Sequence, residues 1–478
     1  MQREPTFKPI NSRPAARPNW LPFALGGGMA LIVACAAAFA VFAFFWQPEV
    51  PDNQALTPIR PVVNFITATP TPQGYAPPSA TALPVVLQST PEAKDEATPA
   101  SPADTAQPAP SPTSPPDQET PDAPEPSPTP TSPTPSGFID TSFAYGIQVD
   151  PAGDPDEIIE HLRTLGIKWV KFQLSWKETE PQQGIRNWGE WDRIVVTYRR
   201  AGFNIMLSIV KAPNWARPAN TDLSQEGPPA DPATYALFVG ELAQRYRGGV
   251  QAIEVWNEQN LAREGGGAPM PPADYVALLR AARQAIKTAD PAIIVVSGAP
   301  TPAGDVPGAA IDDINYLNAM YAAGLKSVAD AIGVHPSGYN CPALADWQSV
   351  SDPGAVFRGP FDNPHHSWCF RGTMEGYRNV MVANGDADKR LWPTEFGWAV
   401  SSTPQTSYEY AVDNTREEQA QWIVEAYAQA KAWGWVGPMF LWNLNYDVTR
   451  PGSEQAAFSI LTAQGPTSAY RALAGVAK

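Results

Sequence analysis

The sequence predicts an α/β protein: a (β/α)8 TIM barrel, preceded by one transmembrane helix and a disordered linker. Three observations lead there. From Gly137 to Lys478, short apolar runs alternate with helix-length amphipathic segments, the pattern of parallel strands joined by helical crossovers. That stretch is about 340 residues long, enough for one closed barrel. The rival, an open doubly wound sheet, calls for a Gly-rich phosphate turn after its first strand. Gly146-Ile147-Gln148-Val149-Asp150-Pro151 does not supply one.

Residues 1–20 read as a basic tail, with Arg3, Lys8, Arg13 and Arg17 against Glu4. Residues 21–46, Leu21 to Trp46, are apolar and uncharged, long enough to cross a hydrocarbon core. The basic tail keeps the N-terminus cytoplasmic and exports the chain beyond Trp46, so the expectation is a single-pass cell-membrane protein with an extracytoplasmic barrel. Two alternatives export the barrel equally. One is a cleaved signal peptide, giving a secreted protein. The other is a lipoprotein, since Ile32-Val33-Ala34-Cys35 is similar to a lipobox. Residues 47–136 are dominated by Pro, Thr, Ser and Ala and hold much of the chain's 54 prolines. Too few apolar side chains remain there to offset chain entropy, which predicts a disordered, extended tether.

Within residues 137–478 the predicted strands centre near Tyr145, Val170, Ile205, Val255, Val295, Val334, Pro393 and Leu441. Asp156 to Gly166, Asp231 to Tyr246, Pro272 to Lys287 and Thr415 to Gly434 carry the amphipathic period of helices. Asp231 before Pro232, and Asn414-Thr415 ahead of Glu417-Glu418, are start signals for two of them. A formal net charge of −15 argues against a nucleic-acid partner, which needs clustered Lys and Arg.

Chemistry in such barrels gathers at the C-terminal ends of the strands. Strand four ends in Trp256-Asn257-Glu258 and strand seven in Trp392-Pro393-Thr394-Glu395-Phe396-Gly397-Trp398. Each delivers a glutamate to the rim among tryptophans. A glycosidic bond needs one carboxylic acid to protonate the leaving oxygen and one carboxylate at the anomeric carbon. Aromatic faces suit the apolar faces of sugar rings. The expected partner is therefore an oligo- or polysaccharide.

Trp256-Asn257-Glu258-Gln259-Asn260 with Thr394-Glu395-Phe396-Gly397-Trp398 far downstream resembles clan A glycoside hydrolases, families 5 and 39 above all. The segment Trp176 to Pro181 with Gly184, Trp188 and Asp192, the loop Ala212-Pro213-Asn214-Trp215, and Trp442 extend the likeness over most of the barrel. The resemblance implies a retaining enzyme acting on β-linked glycans through a covalent glycosyl-enzyme, with carboxyl groups about 5–5.5 Å apart. It makes Glu258 the acid/base and Glu395 the nucleophile, with Asn257 on the sugar 2-hydroxyl and Trp442 beneath the first sugar. Trp215 and Trp176 are expected at further substrate contacts. The chain departs from the pattern at three places. Gln259 comes after the Asn-Glu pair where Pro is common. Lys171 or Gln173 stands where an Arg usually supports the nucleophile. On strand six the run His335-Pro336-Ser337-Gly338-Tyr339 delays the usual Tyr, so His335 and Tyr339 are both expected to face the sugar or the nucleophile. A non-catalytic surface carbohydrate-binding protein on the same barrel is the alternative.

Cys341 and Cys369 share a long segment on the exported side, which makes a disulfide possible; two unpaired buried thiols are the other reading. His365-His366 lie near Cys369, but no HExxH or paired-Cys spacing accompanies them. They read as loop residues, and no metal or cofactor is expected. Residues 340–371 are too many for a plain connection and are expected to form a lid or subsite wall.

Overall fold

The structure, a computed structural model, describes residues 140–478. The expected basic tail, membrane anchor and linker lie outside the described residues. Among the described residues, no helix is long and apolar enough to cross a membrane.

Eight parallel strands lie where the apolar runs placed them. They are β1 Ala144–Gln148, β2 Trp169–Ser175, β3 Asn204–Val210, β4 Ala252–Val255, β5 Ile294–Ser297, β6 Ile332–Val334, β7 Leu391–Pro393 and β8 Pro438–Leu441. Six of them pair in the order β5-β4-β3-β2-β1-β8, and β6 pairs with β7. Isolated parallel bridges join the two sheets at both edges, Val296 to Ala331 at one and Leu391 to Val436 with Phe396 to Leu441 at the other. The arrangement fits a (β/α)8 barrel. A helix succeeds each strand: α1 Pro155–Thr164, α2 Gly189–Arg200, α3 Pro232–Arg245, α4 Pro272–Ala289, α5 Asp313–Ala322, α6 Phe370–Ala383, α7 Arg416–Trp433 and α8 Ser468–Ala474. Local sequence sets their ends. Asp231 accepts from the Ala233 N–H ahead of α3, with Pro232 in the first turn. Thr415 and Glu418 form a reciprocal capping box on α7, which stops at Gly434 with φ +71°.

Strand alternation divides the barrel interior into layers. Val170, Phe172 and Leu174 pack outward against the helices in the main core. Trp169 points the other way and joins Met206, Ala252, Ile294, Val296, Ala331, Trp392 and Phe440 in a separate apolar cluster. Side chains two residues apart share a face. Lys171 therefore lies one layer above Trp169, and Glu254 one layer above Ala252, and both are fully buried. The lower interior is apolar and the upper interior is charged.

Candidate active site

Above that charged layer a cavity of about 470 Å³ opens at the C-terminal ends of the strands, and Glu258 and Glu395 both line it. A carboxylate oxygen of Glu258, a ring nitrogen of His335 and a carboxylate oxygen of Glu395 all lie within 4.8 Å of one another. The sequence separation of these residues hides this proximity; β4, β6 and β7 bring them together.

The chain leaves β4 through two left-handed residues, Trp256 at φ +71° and Glu258 at φ +44°. Lys211, Tyr339 and Ser407 also have positive φ, and all three line the same cavity. Side chains with a Cβ adopt this conformation at a cost, roughly 1–3 kcal/mol each, and such residues cluster at functional sites. Gly338 has a different local reason. A Cβ there would stand 1.8 Å from Trp398 Nε1, which donates to the Cys341 carbonyl at 2.8 Å.

Glu395 is held from below. Lys171 Nζ donates to its Oε1 at 2.8 Å and to the Thr394 carbonyl at 3.2 Å, and stands 3.2 Å from Glu254 Oε2. Burial alone would lower the Lys171 pKa, but Glu254 and Glu395 outweigh it and raise the ammonium above its usual value. Of the two strand-two candidates, Lys171 makes the contact; Gln173 only lines the cavity.

Glu258 is held from the side. Its Oε2 pairs with Arg263 Nη2, and its Oε1 lies 3.2 Å from His335 Nδ1. Burial pushes its pKa up, but Arg263 and His335 outweigh that and hold the carboxyl well below the usual range. His335 is buried and also lies 3.9 Å from Glu395 Oε2, so one imidazole serves both glutamates. Burial lowers its pKa, yet Glu395 and Glu258 raise it further than burial depresses it. Glu264, beside Arg263, is pushed up to about 7 by burial and by the charge of Glu258.

Asn257 and Trp442 line the cavity, and buried Asn257 Oδ1 has no hydrogen-bond partner among the described residues. Nor does His335 Nε2. Three expectations need correction. Trp176 is fully buried, donates to Glu180 Oε2 at 2.8 Å and stacks on Phe238, so no face remains for a sugar. Trp215 packs edge-on against Trp176 and donates to the Glu180 carbonyl, away from the cavity. Tyr339 does line the cavity, but its hydroxyl donates to the Pro302 carbonyl at 3.1 Å rather than to Glu395. Gln259, standing where Pro is common, is buried and donates to the Gly298 carbonyl at 2.7 Å.

The segment 340–371 is placed differently from expectation as well. It supplies none of the cavity's lining residues. Instead Phe357 and Trp368 pack behind Tyr339 and Tyr410, which do line it. Cys341 and Cys369 are disulfide-bonded, with Cα atoms 5.4 Å apart. The sequence pattern did not reveal Arg263, Glu254 or Tyr408 as site residues. A Glu inside the apolar β4, matched by a Lys inside β2, was the available signal for a charged interior. Arg263 had none, since a charged residue in a surface loop is ordinary.

No family profile matches the chain, and no curated protein does either. Among solved structures it resembles a family 39 glycoside hydrolase from Bacteroides cellulosilyticus WH2, with TM-score 0.53 and 20% identity over 69% of this chain and 62% of that one. A glucosidase from Croceicoccus marinus aligns with TM-score 0.47 and 18% identity over 69% of this chain and 66% of that one. The chain thus spans less than two thirds of either structure. The first likeness is one of fold, and it supports the barrel.

Proposed function

We propose that the described domain is a retaining glycoside hydrolase acting on β-linked glycans, with Glu395 as nucleophile and Glu258 as acid/base. One observation carries this reading: carboxylate oxygens of Glu258 and Glu395 lie within 4.8 Å of each other in one cavity at the strand ends. Retaining enzymes place their carboxyl groups about 5–5.5 Å apart, whereas inverting ones need about 6.5–9.5 Å to admit a water.

In this scheme Glu395 attacks the anomeric carbon while Glu258 gives its proton to the leaving oxygen. Glu258 then deprotonates the water that releases the sugar. Lys171 keeps Glu395 ionised and fixes its aim, and unpaired Asn257 Oδ1 takes a sugar hydroxyl. Trp442 offers a ring face to the first sugar. Glu258 can act as an acid only when Arg263 withdraws, and the Arg263 side chain, 54% exposed, has room to do so. The likeness of fold to a family 39 glycoside hydrolase supports the assignment. We place the domain outside the cell membrane on the strength of the sequence of residues 1–136.

The same Arg263 contact favours a second reading, a surface carbohydrate-binding protein without turnover, because an ionised Glu258 has no proton to give. Aryl β-glycosides and soluble β-glycans, with product anomers monitored by NMR, separate the two. Hydrolysis with retained configuration, lost in both Glu258→Gln and Glu395→Gln, is expected. Glycan binding with no hydrolysis would establish the second reading, and an inverted first product would exclude the retaining mechanism.

A further inference from the structure

Away from the cavity, two histidines and two aspartates meet where the long segment 340–371 touches the start of α5. His365 Nε2 lies 3.2 Å from Asp312 Oδ2, and His366 Nε2 lies 3.9 Å from the same oxygen. His366 Nε2 is also 3.0 Å from Asp313 Oδ1. Two ligands of one tetrahedral zinc, with bonds near 2.0–2.1 Å, stand about 3.3 Å apart. The donor atoms of Asp312, His365 and His366 lie within 4.8 Å of one another, so modest side-chain shifts would gather them on one ion.

The remaining atoms of these side chains are already oriented. His365 Nδ1 is 2.7 Å from Ser367 Oγ, which turns Nε2 toward Asp312. Asp312 Oδ1 accepts from the Asn315 N–H at 2.8 Å, leaving Oδ2 for the histidines. Outer contacts of this kind fix ring orientation at metal sites. An independent observation concerns Asp313. Its side chain is fully buried, and its carboxylate lies against the Tyr377 hydroxyl, which has no other partner among the described residues. A buried, ionised carboxylate is costly unless a cation compensates it. The two imidazoles, 4.2 Å apart between ring centres, would repel each other if both were protonated to serve as that cation.

We propose that Asp312, His365 and His366, with Asp313 beside His366, form a zinc-class divalent cation site that fastens the segment carrying Cys369 to the start of α5. Two imidazoles with a carboxylate suit zinc; calcium and magnesium prefer six or more oxygens. The ion acts structurally. Asp313 Oδ1 also accepts from the Ala303 N–H at 3.3 Å, and Ala303 lines the active-site cavity, so the ion stiffens that wall from behind. This inference does not depend on the glycosidase assignment.

Calorimetric titration of zinc chloride into the chelator-treated full chain tests it. About one equivalent should bind, and melting of the loaded protein should shift upward. His365→Ala combined with His366→Ala should weaken binding at least tenfold. Among the described residues the other cluster of close donors is Glu258, His335 and Glu395, so Glu258→Gln serves as the control and should leave zinc uptake intact. If circular dichroism shows the double variant unfolded, Asp312→Asn replaces it with the same expectation. No uptake by the native chain overturns the proposal. So does uptake that survives the histidine substitutions or disappears in Glu258→Gln.

Discussion

The two cavity glutamates rest on opposite kinds of support. Glu395 stands on the barrel interior, where Lys171 is 0% exposed, whereas the cation against Glu258 is a rim arginine with a 54% exposed side chain. A buried ammonium between two carboxylates has one low-energy position, because leaving it would strand three charges. A rim arginine with about half of its side chain in solvent (54%) has room to swing away, at the cost of leaving the buried Glu258 carboxylate without its cation. The difference matches the two duties proposed for the residues. A nucleophile must stay ionised and aimed, while an acid/base must change protonation twice per turnover.

That contrast can be broken at graded cost. Glu395→Ala should have the largest effect, a loss of turnover of about 10⁴-fold or more. Azide should restore reaction by attacking the opened face and yield the inverted glycosyl azide. Unchanged kcat in this variant would remove the nucleophile assignment. Lys171→Met comes next. It leaves Glu254 and Glu395 without their buried cation and should cost about 3–5 kcal/mol, read as a lower midpoint in thermal or urea unfolding. An unaltered midpoint would mean that the charged layer is not closed to solvent.

Arg263→Gln should act on the other side and more gently, with folding preserved. Arg263 favours the charged form of Glu258, so removing it raises that pKa. The proton donor then survives to higher pH, and the alkaline limb of kcat/KM should move up by about one pH unit or more. A limb that stays in place would show that Arg263 has already left when substrate binds. The smallest contrast lies among the tryptophans. Trp442→Ala should raise KM roughly tenfold, whereas Trp176→Phe should leave KM alone and lower the unfolding free energy by about 1–3 kcal/mol, since it strips buried Glu180 Oε2 of its donor.

The same division decides what could be read from the chain. Every strand was legible, because a barrel strand is a short apolar run bounded by turn residues and helical pattern. That Glu258 and Glu395 would sit at the strand ends was legible because each closes such a run beside tryptophan. Trp176 and Trp215 were misplaced for the same reason: an aromatic residue near the rim has one signature whether it stacks on a ligand or on Phe238. The family resemblance set Tyr339 against the sugar or Glu395; it lines the cavity, at a left-handed turn with φ +50°, and its hydroxyl donates to the Pro302 carbonyl. Arg263 could not be read at all, since its role depends on the path of a loop.

Glu254 gives the buried layer a further meaning. In the double displacement proposed, attack converts the Glu395 carboxylate into a neutral ester, and the negative charge that faced Lys171 disappears halfway through the cycle. With one carboxylate, the ammonium would be left uncompensated in a dry interior just as the intermediate must persist. Glu254, 3.2 Å away and never part of the covalent chemistry, remains as its counter-ion through both half-reactions. The pair thus behaves as a fixed electrical ground beneath the reacting carbon, against which the charge of Glu395 can be switched off and on.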